Sequence, residues 1–288
     1  RKMDYRRFMS FITENNLING MKIHLEKRWS TKTIKNNMKG KNMKKLNSNH
    51  LKLIAIIAMT IDHIADLIFP GMPNNIWSNI LHIIGRLTAP IMFFFICEGF
   101  YYTKNLKKYV TRLFLFALIS HFAYCFAFGI NFIPFINGEI FNQTSIMWSL
   151  AWAVVALYIV YGDTKLKQWQ KTVLLLIICA ITFCADFSSI AVMCIVAMYG
   201  KRGDIKKQVV SMEVWLGIYA LISFIFVNKT YGIIVLFSIL VYPILKIYDG
   251  SRGKLKWMKW LFYIYYPLHL AIIGLLRILM YGNVPLLF

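Results

Sequence analysis

Leu51 to Pro70 reads L-K-L-I-A-I-I-A-M-T-I-D-H-I-A-D-L-I-F-P, and this run sets both the fold class and the search for a site. A helix needs about 20 predominantly apolar residues to cross a bilayer, and Leu51 onward supplies them. Pro70 has no amide hydrogen to continue the helical ladder and stops the run. Two adjacent ionisable residues, Asp62 and His63, lie inside it. Inserting a charged side chain at the centre of such a helix costs about 2.5–3.5 kcal/mol. A membrane helix that keeps such groups uses them for pairing or for chemistry, so Asp62-His63 leads the functional reading.

Outward from this run, apolar stretches alternate with short polar breaks. The spans fall at roughly 51–69, 77–102, 107–128, 144–162, 171–185, 187–200, 209–227, 231–247 and 258–280, each judged against the length needed to cross a bilayer. The sixth is short, and the break at Asp186 is small enough for one broken or re-entrant element instead. The expected fold is all-α: a polytopic transmembrane helix bundle of about nine spans. Composition agrees, because 58% hydrophobic residues and a mean hydropathy of +0.56 are too apolar for a soluble domain of this length. The five cysteines all lie in apolar stretches without C-x-x-C or zinc-ligand spacing, so they read as small buried hydrophobes and no metal is expected.

The net charge of +21 would point to nucleic acid in a soluble protein. Its distribution points to a membrane surface. Residues 1–52 carry 14 of the 33 Lys and Arg, and the breaks 103–112, 163–171, 201–207 and 246–259 carry 4, 3, 4 and 5. The breaks at 70–76, 129–143 and 186–189 carry none. Positive loops stay in the cytoplasm. The expectation is therefore a multi-pass membrane protein with its N-terminus inside, its C-terminus outside and its basic loops on anionic headgroups. Nucleic acid is not an expected partner. Residues 1–50 read as a basic cytoplasmic tail, or, as far as residue 42, as sequence ahead of a start at Met43. Residues 51–288 form the membrane domain.

A rise of about 1.5 Å per residue turns position into depth. His63 and His269 lie about 18 and 16 Å from the cytoplasmic end of their spans, His121 about 20 Å, and Arg86 about 14 Å below the outer surface. In a core of about 30 Å these groups share one layer. Each has a plainer reading. A membrane His is commonly an interhelical hydrogen-bonding residue, and Asp62 can serve simply as the counter-charge of Arg86. Asp66, three residues after His63, can orient the imidazole or reach outward. Glu98 can pair with Arg112. His82, one turn before Arg86, is assigned no chemistry. Pro90 and Pro267 each leave a carbonyl free four residues earlier, next to the layer, which favours a cavity there. Walker A, G-x-G-x-x-G, H-E-x-x-H and G-x-S-x-G motifs are all missing from the sequence.

Four strings then become informative together: L-K-L-I-A-I-I-A-M-T-I-D-H-I (51–64), I-I-G-R-L-T-A-P-I-M-F-F-F-I-C-E-G-F (83–100), Y-Y-T-K-N-L-K-K-Y-V-T-R-L (101–113) and F-Y-I-Y-Y-P-L-H-L (262–270). They resemble the TraX family, from about Leu51 to about Leu276. The resemblance implies a role akin to an N-acetylase of conjugative pilin, and kinship with integral-membrane acyltransferases that draw acyl-CoA from the cytoplasm. By motif position it implies that Asp62, His63, Arg86, Glu98, Tyr109, Arg112, Pro267 and His269 are family polar positions. His121 departs from the pattern, in S-H-F-A where relatives carry Gln, and A-D-F-S-S (185–189) stands where relatives read D-Y-G.

Residues and resemblance together give the expected chemistry: acetyl transfer from acetyl-CoA, as co-substrate, to an amine or hydroxyl of a peptide, pilin or envelope glycan. His63 is the expected general base, oriented by Asp62 or Asp66, and Arg86 the oxyanion donor, with His269 in the same layer. Lys104, Lys107, Lys108, Tyr109, Arg112 and Glu98 are the expected CoA dock, the cations meeting its phosphates. Two rivals stand beside this: a proton-coupled transporter, since membrane-embedded His and Asp also build relays, and a non-enzymatic factor for pilus or secretion assembly.

Overall fold

A computed structural model describes residues 45–135, 140–255 and 257–282. Of the expected tail over residues 1–50, residues 1–44 lie outside them. The described chain is helical throughout, without a β-strand. In order, the helices are α1 (Ser48–Ile68), α2 (Ile76–Gly85), α3 (Thr88–Tyr102), α4 (Leu106–Phe128), α5 (Ile146–Tyr161), α6 (Gln168–Thr182), α7 (Ile190–Gly200), α8 (Ile205–Phe226), α9 (Lys229–Val235), α10 (Val241–Lys246) and α11 (Met258–Tyr281), with a 3₁₀ turn, Leu236–Leu240, between α9 and α10.

Among the described residues, five stretches are long and apolar enough to cross a membrane: α2–α3 taken together, α4, α8, α9–α10 taken together, and α11. The apolar helices α5, α6 and α7 have only 16, 15 and 11 residues. Helix α1 has 21 residues but carries Lys52, Asp62 and Asp66. Several apolar helices of this kind make a multi-pass membrane protein. Helices α5 and α7 are apolar on every side and form the centre, with Leu150, Leu157, Ile195 and Met198 fully buried, as an all-round apolar helix requires. Helices α6, α8 and α11 turn Leu and Ile side chains outward.

Pro90 acts as the sequence predicts. The helix breaks after Gly85 and restarts at Thr88, so Pro90 sits in the first turn of α3, where a missing amide costs little. Pro267 instead lies within α11, which runs on through it.

The bundle begins ahead of Leu51. Leu46 pairs with the 247–249 segment (Leu46 N–H to Ile247 O, 3.0 Å; Asp249 N–H to Leu46 O, 2.9 Å), and the Ser48 amide donates to Ser251 O at 2.8 Å. Asn47 caps α1, accepting from the amides of Asn49 and His50. Residues 45–50 thus tie α1 to the segment leading into α11.

Candidate functional site

Asp62 and Arg86 form the buried ion pair that their depths predict. Nη2 of Arg86 donates to both Asp62 oxygens, at 2.9 and 2.8 Å. Nε donates to His82 O (3.3 Å) and Nη1 to the Tyr231 hydroxyl (3.4 Å). Guanidinium has five N–H groups, so these four contacts leave one for a ligand. Helices α1 and α2 approach closely here because residue 85 is glycine: a Cβ on Gly85 would overlap the Asp62 carboxylate. The Gly of I-G-R thus makes room for the Asp of D-H.

His82 belongs to this centre, although the sequence reading gave it no chemistry. It is fully buried, its Nδ1 lies 2.9 Å from Asp62 Oδ1, and its Nε2 lies 3.8 Å from Asp66. Asp62 and Asp66 are four residues apart and share a helix face. That face meets α2, so neither carboxylate orients His63. The spacing of His82 and Arg86, four apart, was the available signal.

His63 is oriented by His269. Nδ1 of His63 and Nε2 of His269 are 2.7 Å apart, and the rings stack with centroids 4.9 Å apart. Nδ1 of His269 lies 2.8 Å from Tyr265 O, an acceptor. A neutral His269 therefore carries its proton on Nδ1 and presents the Nε2 lone pair, so His63 donates from Nδ1. The Nε2 lone pair of His63 is left over, with no hydrogen bond among the described residues. One turn away Thr60 meets the Tyr265 hydroxyl at 2.6 Å, a second rung between α1 and α11.

A cavity of about 50 Å³ joins the two pairs. Asp62, His63 and Arg86 line it with Tyr266, Asp186 and Phe187. Asp186 and Phe187 come from the turn between α6 and α7, which the sequence reading treated only as an uncertain break. His121 stands apart: it bonds Thr144 Oγ1 (3.0 Å) and Phe132 O (2.8 Å), tying α4 to the following segment. Among the described residues no His, Cys, Asp and Glu cluster has the makings of a metal site.

At the other end of α4, Lys104, Lys107 and Lys108 are exposed. Glu98 is not with them. Its carboxylate takes Arg202 at 2.8 and 3.2 Å, not Arg112, and Arg202 also lies over the Tyr101 ring. Arg112 sits instead among Tyr109, Trp260 and Tyr263, with ring centroids 5.0–5.8 Å from its guanidinium, and its Nε is buried without a hydrogen-bond partner. Tyr109 is buried, its hydroxyl against Gly99, the Gly of E-G. Tyr263 and His269 are six residues apart on α11, about 9 Å along the axis.

Comparison with known proteins gives three findings. The model of the family described as TraX protein matches residues 47–277. A probable fimbrial assembly protein FimC, serogroup H1, of Dichelobacter nodosus is 29% identical over 230 residues, 77% of this chain and 92% of that protein. The uncharacterized protein RP591 of Rickettsia prowazekii (strain Madrid E) is 29% identical over 124 residues, 36% of this chain and 48% of that protein. No solved structure matches the chain.

Proposed function

The chain belongs to the TraX family, and on that premise we propose that it is an integral-membrane acetyltransferase moving an acetyl group from cytoplasmic acetyl-CoA to an amine or hydroxyl of a peptide, pilin or envelope glycan. The observation that carries this reading is the free Nε2 lone pair of His63, fixed by the His63–His269–Tyr265 chain and placed on a cavity with Arg86. The acceptor X–H gives its proton to His63 Nε2 as X attacks the thioester carbonyl. The X–C bond forms, the C–S bond breaks, and the imidazolium returns the proton to the departing CoA sulfur. Stacked His269 shares the imidazolium charge. The remaining N–H of Arg86 faces the developing oxyanion.

Acetyl-CoA docks at the cytoplasmic end, its phosphates on Lys104, Lys107, Lys108 and Arg112 and its ring system against Trp260 and Tyr263. Glu98 holds Arg202 and so leaves Arg112 to the ligand. The offset of about 9 Å between Tyr263 and His269 suits a donor whose reactive thioester ends a long arm. The host membrane is the bacterial cytoplasmic membrane. The positive-inside count supports an odd number of crossings, a cytoplasmic N-terminus and a C-terminus outside.

A second reading, a non-enzymatic fimbrial assembly factor, is favoured by the name of the Dichelobacter nodosus relative. Acetyl-CoA consumption separates them, and one variant tests the base. His63→Gln should leave expression and insertion intact and lower acetyl transfer by about 10²–10⁴-fold, the worth of general-base catalysis. A well-expressed His63→Gln protein that transfers acetyl at the wild-type rate would remove His63 as the base, and a wild-type protein that consumes no acetyl-CoA would leave the assembly reading standing.

A further inference from the structure

Helix lengths place the turn between α6 and α7 inside the membrane. Helices α7 and α8 are antiparallel and joined by Lys201–Asp204, so their connected ends are level. Helix α7 has 11 residues and α8 has 22, about 16 and 33 Å. Helix α6, with 15 residues, rises about 22 Å from the same basic face. The turn Phe183–Ser189 therefore stands about 16–22 Å from that face, within a core of about 30 Å.

Non-helical backbone at this depth persists only where protein covers it or where it lines a water-filled cavity. Here protein covers the turn, and the turn borders the cavity. The Gln143 amide donates to Cys184 O (2.7 Å) and the Asp186 amide to Thr144 O (2.9 Å), so the chain entering α5 dips to meet the turn. Phe187 and Ser188, neither of them glycine, take φ of 58° and 50° in succession, a strained conformation that concentrates at functional sites. This strained turn puts Asp186 on the cavity that Arg86 also lines, its carboxylate accepting the Phe187 amide at 2.9 Å.

A second line of polar groups leads from the centre to the same side. Ser78 Oγ, Asn79 Oδ1 and His82 Nε2 are buried without hydrogen-bond partners. They lie along α2 between Asp62 and the Asn75 cap, beside the break at 70–76 that carries no Lys or Arg.

We propose that the acceptor reaches His63 from the face opposite the Lys/Arg loops, with Phe183–Ser189 as the wall that receives it and Asp186 as the group that engages its N–H or O–H. Donor and acceptor then meet at His63 from opposite sides of the membrane. The proposal rests on the acetyl-transfer reading for what the acceptor undergoes, but not for the side from which it comes.

Cys184, a free thiol in this turn, allows a test on the intact chain. Right-side-out and inverted membrane vesicles are treated with a membrane-impermeant maleimide, and adducts are mapped by mass spectrometry. Cys184 should be labelled only when the reagent is on the face opposite the Lys/Arg loops, as should an Asn142→Cys control, since Asn142 is exposed. Labelling of Cys184 from the basic face, or none from either face while Asn142→Cys reacts, overturns the proposal. Asp186→Asn should raise KM for a membrane-impermeant peptide with a free amino terminus about tenfold or more, the worth of a hydrogen bond to a charged group, and leave KM for acetyl-CoA unchanged. Equal changes in both constants, or in neither, remove Asp186 from the role. Labelling requires no acetyl transfer, so an inactive wild-type protein refutes the transfer reading alone.

Discussion

Removing Asp62 tests whether the centre is a true buried ion pair. Asp62 and Arg86 have side chains only 16% and 8% exposed, so little water can replace a lost partner. Asp62→Ala strips the guanidinium of both contacts at 2.9 and 2.8 Å, and breaking a buried pair from one side costs about 3–5 kcal/mol. The same change leaves His82 Nδ1 unpartnered beside its already unpartnered Nε2, about 1–3 kcal/mol more. Asp62 borders the cavity, where some water can enter, so the lower part of the summed range is expected, about 4 kcal/mol. Arg86→Met leaves the opposite charge buried and loses about 3 kcal/mol, because His82 still donates to Asp62. The double variant buries neither charge and should lose at least about 2 kcal/mol less than the sum of the singles. Equilibrium unfolding by SDS in mixed micelles, followed by tryptophan fluorescence, measures all four proteins. Strictly additive losses, or a single-variant loss below about 1 kcal/mol, would refute the pairing, since an uncoupled surface pair is worth no more than that.

Gly85→Ala should destabilise the protein by about 1–3 kcal/mol, the usual cost of overpacking, because its methyl group meets the Asp62 carboxylate; unchanged unfolding would mean that α1 and α2 do not approach so closely. Charge reversal at Lys107, Lys108 and Arg112 should raise KM for acetyl-CoA with protein levels held constant, and an unchanged KM moves the dock elsewhere. A C-terminal alkaline phosphatase fusion should be active, as expected for an external C-terminus; activity of a C-terminal reporter that works only in the cytoplasm contradicts this topology.

The helices were legible in the sequence because a bilayer imposes an apolar composition on each one, and because Pro90 and Pro70 break the ladder in a fixed way; the lengths were not, since α5, α6 and α7 have only 16, 15 and 11 residues. Asp62 with Arg86 was legible for a related reason: two charges at one depth in hydrocarbon must find each other. The partner of His63 was not. Residues 62 and 63 differ by about 100° around a helix, so Asp62 and Asp66 look toward α2 while His63 looks toward α11, and only the arrangement of the bundle says which helix lies on each side. Glu98 follows the same rule: sequence proximity offered Arg112, and the meeting of α3 with the Lys201–Asp204 connection supplied Arg202. Asp186 was hidden because its reach into the cavity depends on a non-helical turn whose backbone bonds join residues about 40 apart, as in the pairing of Thr144 with Asp186. By itself the sequence determined what hydrocarbon tolerates, residue by residue. Only the tertiary structure decided which face each polar group sees, because that is set by how the helices are placed around one another.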